Sequence, residues 1–413
     1  MGTVITCAVR TAVGSYLGSL KTLEPKHLGA QLMKQAVAKA GIADTDIDEI
    51  IIGDVLSYTP NLARTAMLEA GFDRHIPAYT VDLQCASALR AIVNGHQEIT
   101  AGDADVVLAG GIEVMSRAPY VLPYNLRYEG GRMGNLMIQD GNLNALYYPY
   151  ACPVAKNPEE QEDPASYKGL GMGITAENVA ARYGFTREDQ DKFALDSQMK
   201  TKAAQEAGKF VDEIVPVVVP NKKGDITFMV DEYPKPNTTM ETLGKLKAAF
   251  KKDGTVTAGN ASGMNDGASC VIMMSEEKAA AMGKKPLVKI VATGAAGVSP
   301  AYMGLGPVPA VKKALAKAGL KVEDIGLWEL NEAFAAQSLG CLKELGLEPG
   351  TPGYEIVNVN GGAIAHGHAL ANSGSRILVT LIHEMKRRNV KYGMATLCIG
   401  GGQGLAVLVE NCD

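Results

Sequence analysis

Several features that would assign the sequence to a particular class of protein are missing from it. The seven cysteines are scattered and odd in number, and none forms a Cys-x-x-Cys pair. This argues against a disulfide framework or a structural zinc site and favours reduced thiols in the cytoplasm. Positive charge is not in excess, because 45 acidic residues outnumber 40 Lys and Arg and give a net charge of −5. A nucleic-acid partner is therefore not expected.

Long hydrophobic runs are also missing. The chain does not open on a basic segment followed by an apolar stretch, so no signal peptide is expected. No apolar run approaches the roughly 18 residues that a membrane-spanning helix needs. We therefore expect a cytoplasmic protein with no membrane among its partners. Its 413 residues are enough for two domains or for one large two-lobed body.

The sequence does contain a degenerate internal repeat. Residues 36–42 (AVAKAGI) resemble residues 314–320 (ALAKAGL), and in both copies a predicted helix ends at a glycine, which suits a left-handed C-cap. An apolar strand follows each helix, at residues 50–52 and at residues 327–330. Two strand–helix–strand copies with nearly continuous apolar strands predict an α/β fold of two similar lobes.

The same offset between the two copies continues downstream. It aligns residues 79–81 with residues 357–359 and Cys85 with Ala363. Each half later has an apolar strand that ends in glycines. Three matches in one order favour duplication over the chance similarity of Ala- and Lys-rich helices.

Between the two halves lies a region of different composition, residues 121–255. It is rich in Gly, Pro, Tyr and Asn, and its segment 149–164 has the composition of an exposed excursion. An insertion of this length usually serves as a lid or an association surface. The predicted organisation is a first lobe (residues 1–120 and about 256–284), this inserted region, and a second lobe (residues 285–413).

Two helices are predicted within the inserted region, at residues 174–183 and 187–208. Thr186 has the position of an N-cap for the second helix, with Asp189 completing a capping box. The apolar positions of that second helix are Phe193, Ala194, Met199 and Ala203.

Cys85 is the first candidate for chemistry. A predicted strand, residues 79–83, leads directly into a predicted helix that begins near Ala86. The thiol therefore lies at a helix N-terminus, where the free N–H groups and the helix dipole favour the thiolate. A buried cysteine that only fills the core explains this segment equally well.

Three further segments carry candidate groups. The repeat partner of the Cys85 segment contains His366 and His368, and a histidine is the usual activator of a cysteine nucleophile. The alternatives there are two ordinary loop histidines or a His-x-His metal site. Gly400 belongs to a glycine run whose N–H groups suit a developing oxyanion, with Cys398 at the mouth of the same site. Asn331 follows a predicted strand and holds a water or a thioester oxygen, or simply caps a helix.

Together these segments resemble the thiolases, the acetyl-CoA acetyltransferases and 3-ketoacyl-CoA thiolases, along essentially the full length of the chain. The resemblance rests on ordered matches at residues 84–87 (QCAS), 110–116 (GGIEVMS), 172–178 (MGITAEN), 257–267 (TAGNASGMNDG), 331–335 (NEAFA), 367–368 (GH) and 398–402 (CIGGG).

The resemblance implies a duplicated, five-layered α-β-α-β-α fold and a catalytic set. It implies that Cys85 attacks an acyl-CoA thioester and becomes acylated, while His368 takes the thiol proton. Cys398 then removes an α-proton from a second acyl-CoA, and the enolate attacks the acyl-enzyme. The enolate oxygen is held by His368 and a water on Asn331, and the tetrahedral intermediate by the N–H groups of Cys85 and Gly400.

The resemblance also implies the partners. Acyl-CoA and CoA are substrates rather than cofactors, no metal is implied, and a homo-oligomer, dimer or tetramer, is expected. Local Lys or Arg must meet the negative charges of CoA. The predicted CoA-binding and substrate-binding residues are Ser262, Ala258, Phe250, Met172, Gly171, Ala333 and Phe334.

The sequence departs from the family pattern at a few positions. Ala88 and Ala369 replace a usual Gly and Pro, and Gly171 stands where the short-chain members have His. Roughly twenty extra residues, around 145–168, precede Gly171. Since Gly171 removes bulk beside the reacting centre, we expect acyl groups larger than acetyl to be tolerated.

Three other functions compete with this interpretation. A decarboxylating condensing enzyme shares the fold, but it has no second cysteine like Cys398. A CoA-binding or assembly protein that kept the fold without catalysis is compatible with the altered turn after His368. A redox function is also possible, because Cys85 and Cys398 must approach each other to share a substrate and so can form a reversible disulfide.

Overall fold

The computed structural model describes residues 2–131, 133–146 and 170–412. Its strands are β1 Thr3–Arg10, β2 Gly14–Ser15, β3 Glu49–Gly53, β4 Ala78–Val81, β5 Val106–Val114, β6 Tyr120–Val121, β7 Gln139–Asp140, β8 Val217–Val219, β9 Ile226–Phe228, β10 Asn265–Ser275, β11 Val288–Gly297, β12 Leu327–Leu330, β13 Tyr392–Ile399 and β14 Gln403–Asn411.

The helices in the same residues are α1 Pro25–Ala40, α2 Leu62–Glu69, α3 Ser87–Ala101, α4 Leu126–Glu129, α5 Gly141–Leu146, α6 Met172–Tyr183, α7 Arg187–Glu206, α8 Met240–Gly244, α9 Glu276–Ala281, α10 Pro307–Ala318, α11 Ala335–Leu345, α12 Ala363–His366 and α13 Ser373–Arg388. None of these helices combines the length and the hydrophobicity that crossing a lipid bilayer requires.

The main sheet has two halves with the same strand pattern. Its order is β12-β13-β14-β11-β1-β10-β5-β3-β4. Outward from the junction of β1 and β11, each half has two antiparallel pairings and then a parallel one. The halves join through only two residue pairs, between Val4 and Lys289 and between Ile5 and Val288. The predicted duplicated α/β fold is therefore confirmed, while the exact lobe boundaries stay a prediction.

The repeat is imperfect at the outer edge of the second half. The counterpart of β4 is reduced to one bridge between Trp328 and Val357. The next residue, Asn358, has a φ of 43°, and its side chain bonds the N–H and C=O of Leu330 at 2.9 Å each. The Asn358 side chain replaces a backbone ladder there, so the segment aligned with residues 79–81 does not extend as a strand.

Five layers follow from where the two faces of the sheet are buried. Alternate strand residues point to opposite faces: Val106 and Leu108 of β5 pack with α1 and α2, whereas Val107 and Ala109 pack with α3 and α13. In the second half the outer face is covered by α10 and α11. Helices α3 and α13 form the central layer, and both lead away from the segments that carry the candidate chemistry.

The helices of the inserted region differ in detail from the prediction. The first begins at Met172 rather than residue 174, and the second ends at Glu206 rather than residue 208. The capping box of Thr186 and Asp189 is confirmed. Ala203 is exposed and Ala204 is buried instead, because the buried face of this helix follows its contacts with α12 and α11. The predicted excursion at residues 149–164 lies outside the described residues, as does most of the insertion around 145–168.

Candidate active site

A cavity of about 640 Å³ opens where the two lobes and the inserted region meet. Cys85 reaches its wall from the N-terminal side of α3, His368 from the turn before α13, and Gly400 from the turn after β13. Three segments far apart in the sequence thus meet at one wall. This is the juxtaposition that the internal repeat predicts.

Cys85 lies in a single 3-10 turn, Gln84–Ala86, directly before α3. Burial raises the pKa of its thiol to about 11, and the backbone N–H of Gly400 acts in the opposite direction. The charge of Glu113 raises the pKa further. The thiol is therefore protonated at neutral pH in the free protein, so its use as a nucleophile needs a base.

His368 has the form of that base. Its Nδ1 lies 2.5 Å from the hydroxyl of Ser373, and this hydroxyl donates to the carbonyl of Ala369 at 3.0 Å. The hydroxyl has one proton to donate, so it accepts from Nδ1–H and leaves Nε2 unprotonated. Among the described residues Nε2 has no hydrogen-bond partner. Burial, with a smaller effect from Arg376, lowers the pKa of His368 to about 4, so the ring is neutral.

The backbone of His368 is fixed as firmly as its ring. Its N–H donates to Oδ1 of Asn265 at 3.0 Å, and Asn265 in turn donates to the carbonyl of Gly14 at 2.9 Å. Gly367 has a φ of 95°, and a Cβ there would lie 2.2 Å from the side chain of Asn265. Only glycine fits this position, which explains the Gly-His pair in the sequence.

His366 does not share the site of His368. Its Nε2 contacts the carbonyl of Asn360 at 3.0 Å, and its Nδ1 lies 3.7 Å from Asp231. The two histidines therefore face different partners. This arrangement disfavours the alternative of a His-x-His metal site.

Cys398 lies deeper in the protein than predicted. It is fully buried against Phe334, Ala333 and Met303, beneath the cavity wall rather than at its mouth. Burial raises the pKa of its thiol well above the usual range, and interaction with the neighbouring Cys85 raises it further. The reason for the depth is that Cys398 is still part of β13, whose residues are buried up to Ile399.

Asn331 is also buried next to this region. Its backbone N–H donates to the carbonyl of Thr396 at 3.0 Å, which holds it beside β13. Neither atom of its side-chain amide has a hydrogen-bond partner among the described residues. A buried amide is normally satisfied, so this one is available to a ligand or a water.

The predicted substrate-binding residues all line the cavity. Ser262 donates to the carbonyl of Ala333 at 3.1 Å, which joins two of the lining segments. Phe250 and Phe334 meet edge to face with their ring centroids 5.9 Å apart. The remaining members on the wall are Gly171, Met172 and Ala258.

Sequence reasoning missed several lining residues. Met115 and Met264 lie inside motifs that were matched to the family, but nothing in the sequence alone distinguished them from core methionines. Those outside any matched motif are Leu143, Tyr233, Ala249, Met303 and Leu370.

Known proteins resemble the chain along nearly its whole length. Residues 3–277 match the model of the thiolase N-terminal domain and residues 284–411 that of the thiolase C-terminal domain. The acetyl-CoA acetyltransferase of Chromobacterium violaceum is 50% identical, covering 99% of this chain and 100% of that protein. The one from Escherichia coli is 47% identical, covering 99% of each.

Solved structures give the same result. The acetyl-CoA acetyltransferase of Bacillus anthracis matches with a TM-score of 0.91 and 42% identity, covering 99% of this chain and 98% of that one. Human mitochondrial 3-ketoacyl-CoA thiolase in complex with CoA matches with a TM-score of 0.89 and 41% identity, covering 100% and 98%.

Proposed function

The chain belongs to the thiolase family, and from that premise we propose that Cys85 carries the acyl group that this acyltransferase moves between CoA thioesters. The observation that carries the proposal is the pairing on one cavity wall of a buried thiol with a neutral imidazole whose Nε2 is free. Condensation of two acyl-CoA molecules and thiolysis of a 3-ketoacyl-CoA are the two directions of the reaction.

The first half-reaction uses the groups at the wall. Nε2 of His368 takes the proton from Cys85, and the thiolate attacks the thioester carbonyl. The carbonyl electrons move to oxygen, where the N–H groups of Gly400 and Cys85 stabilise the negative charge. The charge collapses back, the C–S bond to CoA breaks, and CoA leaves as a thiol with the proton of Cys398, while His368 keeps at Nε2 the proton that it took from Cys85.

The second half-reaction needs a base and an enolate site. We assign the base to the Cys398 thiolate that this step leaves, which removes the α-proton of a second acyl-CoA, and the enolate oxygen to Nε2–H of His368 and a water on Asn331. The unpartnered amide of Asn331 supports this assignment. The enolate carbon attacks the acyl-enzyme, and the thiolate of Cys85 leaves. In thiolysis the same steps run backwards, with Cys398 as the acid.

CoA is assigned to the part of the cavity beside the aromatic pair of Phe250 and Phe334. Its pantetheine arm would follow Phe250, Ala258 and Ser262. Its phosphates would meet exposed lysines, since Lys247, Lys251 and Lys252 flank Phe250 in the sequence and Lys235 lies 3.8 Å from the ring centroid of Tyr233, another residue of the cavity wall. These lysines satisfy the need for local positive charge on an acidic protein.

Exchange of the nucleophile tests the assignment to Cys85. Cys85→Ser should abolish acyl-enzyme formation, seen as the mass shift of intact protein after mixing with acetyl-CoA, and should lower turnover by several orders of magnitude. The matched control is Cys412→Ser, which changes a half-buried cysteine at the far end of the chain. This variant should keep both acyl-enzyme formation and turnover. A Cys85→Ser protein that still turns over at the wild-type rate would exclude the proposal.

Acyl selection is the finer part of the proposal. The relatives are named for acetyl transfer, and we propose acetyl or other short acyl groups, with tolerance beyond acetyl because Gly171 offers no side chain to the cavity wall. Thiolysis rates measured across 3-ketoacyl-CoA chain lengths should fall gradually rather than stop after acetoacetyl-CoA. Strict use of acetoacetyl-CoA would contradict the role given to Gly171.

A cytoplasmic homo-oligomer, dimer or tetramer, completes the proposal. The described cysteines are all free, which suits a reducing compartment. Oligomerisation is supported by large apolar side chains that are exposed on the inserted region, such as Tyr124 and Met137.

A further inference from the structure

One buried carboxyl group beside Cys85 has no part in the reaction as assigned. Glu113 lies near the end of β5, in a strand that is buried along its whole length, and it is 1% exposed. Burial raises its pKa well above the usual range, and the neighbouring Asp54 raises it further. A group so costly to bury calls for a specific use.

The contacts of Glu113 join the two lobes. Its Oε1 accepts from the N–H of Leu56 at 3.3 Å, in the loop that follows β3 of the first lobe. Its Oε2 accepts from the N–H of Ala371 at 3.1 Å, in the turn that carries His368 in the second lobe. Residues 258 apart in the sequence are thereby held together by one side chain.

The turn at Ala371 is held from its other side by the helix that follows Cys85. The carbonyl of Ala371 accepts from the N–H of Ala88, in the first turn of α3, at 3.0 Å. The packing here is tight, because a Cβ atom added to Gly111 would lie 2.5 Å from the carbonyl oxygen of Ala371. Glu113 and Ala88 therefore both bind Ala371, which lies three positions after His368, and hold it against the segment that begins with Cys85.

We propose that Glu113 is a positioning residue of the reaction, which sets the separation of Cys85 and His368 by fixing Ala371 against the first lobe. The proposal rests on the proposed function, since it assumes that this pair performs the proton transfer.

Glu113→Gln tests the proposal, because it keeps the size of the side chain but places an N–H₂ group against one of the two backbone N–H donors. We expect kcat of thiolysis to fall about 100-fold, as for a small misplacement of reacting groups, while KM for CoA changes less than about threefold. The rate of Cys85 alkylation by iodoacetamide should fall in parallel. Glu113→Asp, which keeps both acceptor oxygens on a shorter arm, should recover part of the loss.

The matched control lies at the opposite end of the same strand. Asp48 accepts from the N–H groups of Asp105 and Val106 at 2.8 Å each, both at Oδ2, so Asp48→Asn likewise exchanges an acceptor carboxyl at the end of β5 for an amide. It should lower the melting temperature while leaving kcat and the alkylation rate unchanged. The proposal is overturned if Glu113→Gln behaves like Asp48→Asn.

The outcome is separable from the proposed function. Turnover by the wild-type protein and by Cys85→Ser tests whether Cys85 carries the acyl group. The alkylation rate of Cys85, compared between Glu113→Gln and the wild-type protein, can be measured without any turnover. If Glu113→Gln does not fold, Glu113→Asp decides, and wild-type values of kcat and alkylation rate in that folded variant would overturn the positioning role.

Discussion

At the scale of single residues, the state of the site depends on which nitrogen of His368 holds the proton. Ser373 determines this, because its hydroxyl accepts from Nδ1–H while donating to Ala369. Ser373→Ala would leave a buried ring N–H without an acceptor, at a cost of about 1–3 kcal/mol, and would favour the tautomer that protonates Nε2. We expect kcat and the rate of Cys85 alkylation each to fall about tenfold, by the free-energy conversion of roughly 1.4 kcal/mol per factor of ten.

Ser375→Ala is the control for this prediction. Ser375 is equally buried and lies two positions further along α13, but its hydroxyl bonds Ser269 and Asn372 instead of an imidazole. A similar loss of stability with normal kcat is expected from it. Equal kinetics for the two variants would show that Ser373 acts only on stability.

Residue-scale prediction from the sequence succeeded where a motif was local. Cys85 and the Gly-His pair each belong to a short segment that can be matched by itself, and the structure brings them to one cavity. Asn265 and Glu113 were not singled out, although both lie inside matched motifs. Their roles depend on partners 103 and 258 residues away, and no local pattern contains that distance.

At the scale of elements, the sequence predicts best where a local rule fixes the end of a helix or strand. Strand β12 has the predicted bounds, and the cap of α7 at Thr186 is formed by two side chains three residues apart. Prediction was poorer for the buried face of α7 and for the depth of Cys398. Both are decided by the neighbouring element, because a side chain is buried only where another layer covers it.

The internal repeat was likewise a good guide to some elements and a poor guide to others. It predicted two lobes correctly, since glycine caps and apolar strands recur in both. It did not predict that the second copy of β4 would shrink to one bridge, where the side chain of Asn358 bonds the backbone of Leu330. A side-chain hydrogen bond that replaces a backbone hydrogen bond leaves no periodic pattern in the sequence.

At the scale of the whole molecule, one segment exposes an unusual number of large apolar side chains. Around the paired strands β6 and β7 and helix α4, the described residues between positions 120 and 143 expose large apolar side chains: Tyr120, Leu122, Tyr124, Tyr128, Met133, Leu136, Met137, Ile138 and Leu143. Contiguous exposed apolar surface of this kind marks an interface. Because the expected assembly is a homo-oligomer, we take a second copy of the chain as its occupant.

The corresponding prediction concerns the mass in solution. Light scattering coupled to gel filtration should give a dimer or tetramer of the 43.5 kDa chain, and Tyr124→Ser combined with Met137→Ser should shift it to a smaller species, since burial of two large side chains contributes about 3–6 kcal/mol. Leu68→Ser, which removes an exposed leucine from α2, outside this segment, is the control and should not change the mass. The prediction fails if the wild-type protein is monomeric at micromolar concentration, or if the double variant and the control have the same mass. A smaller but folded species would also reveal whether the cavity, which Leu143 of the same region helps to line, keeps its activity without the neighbouring copy.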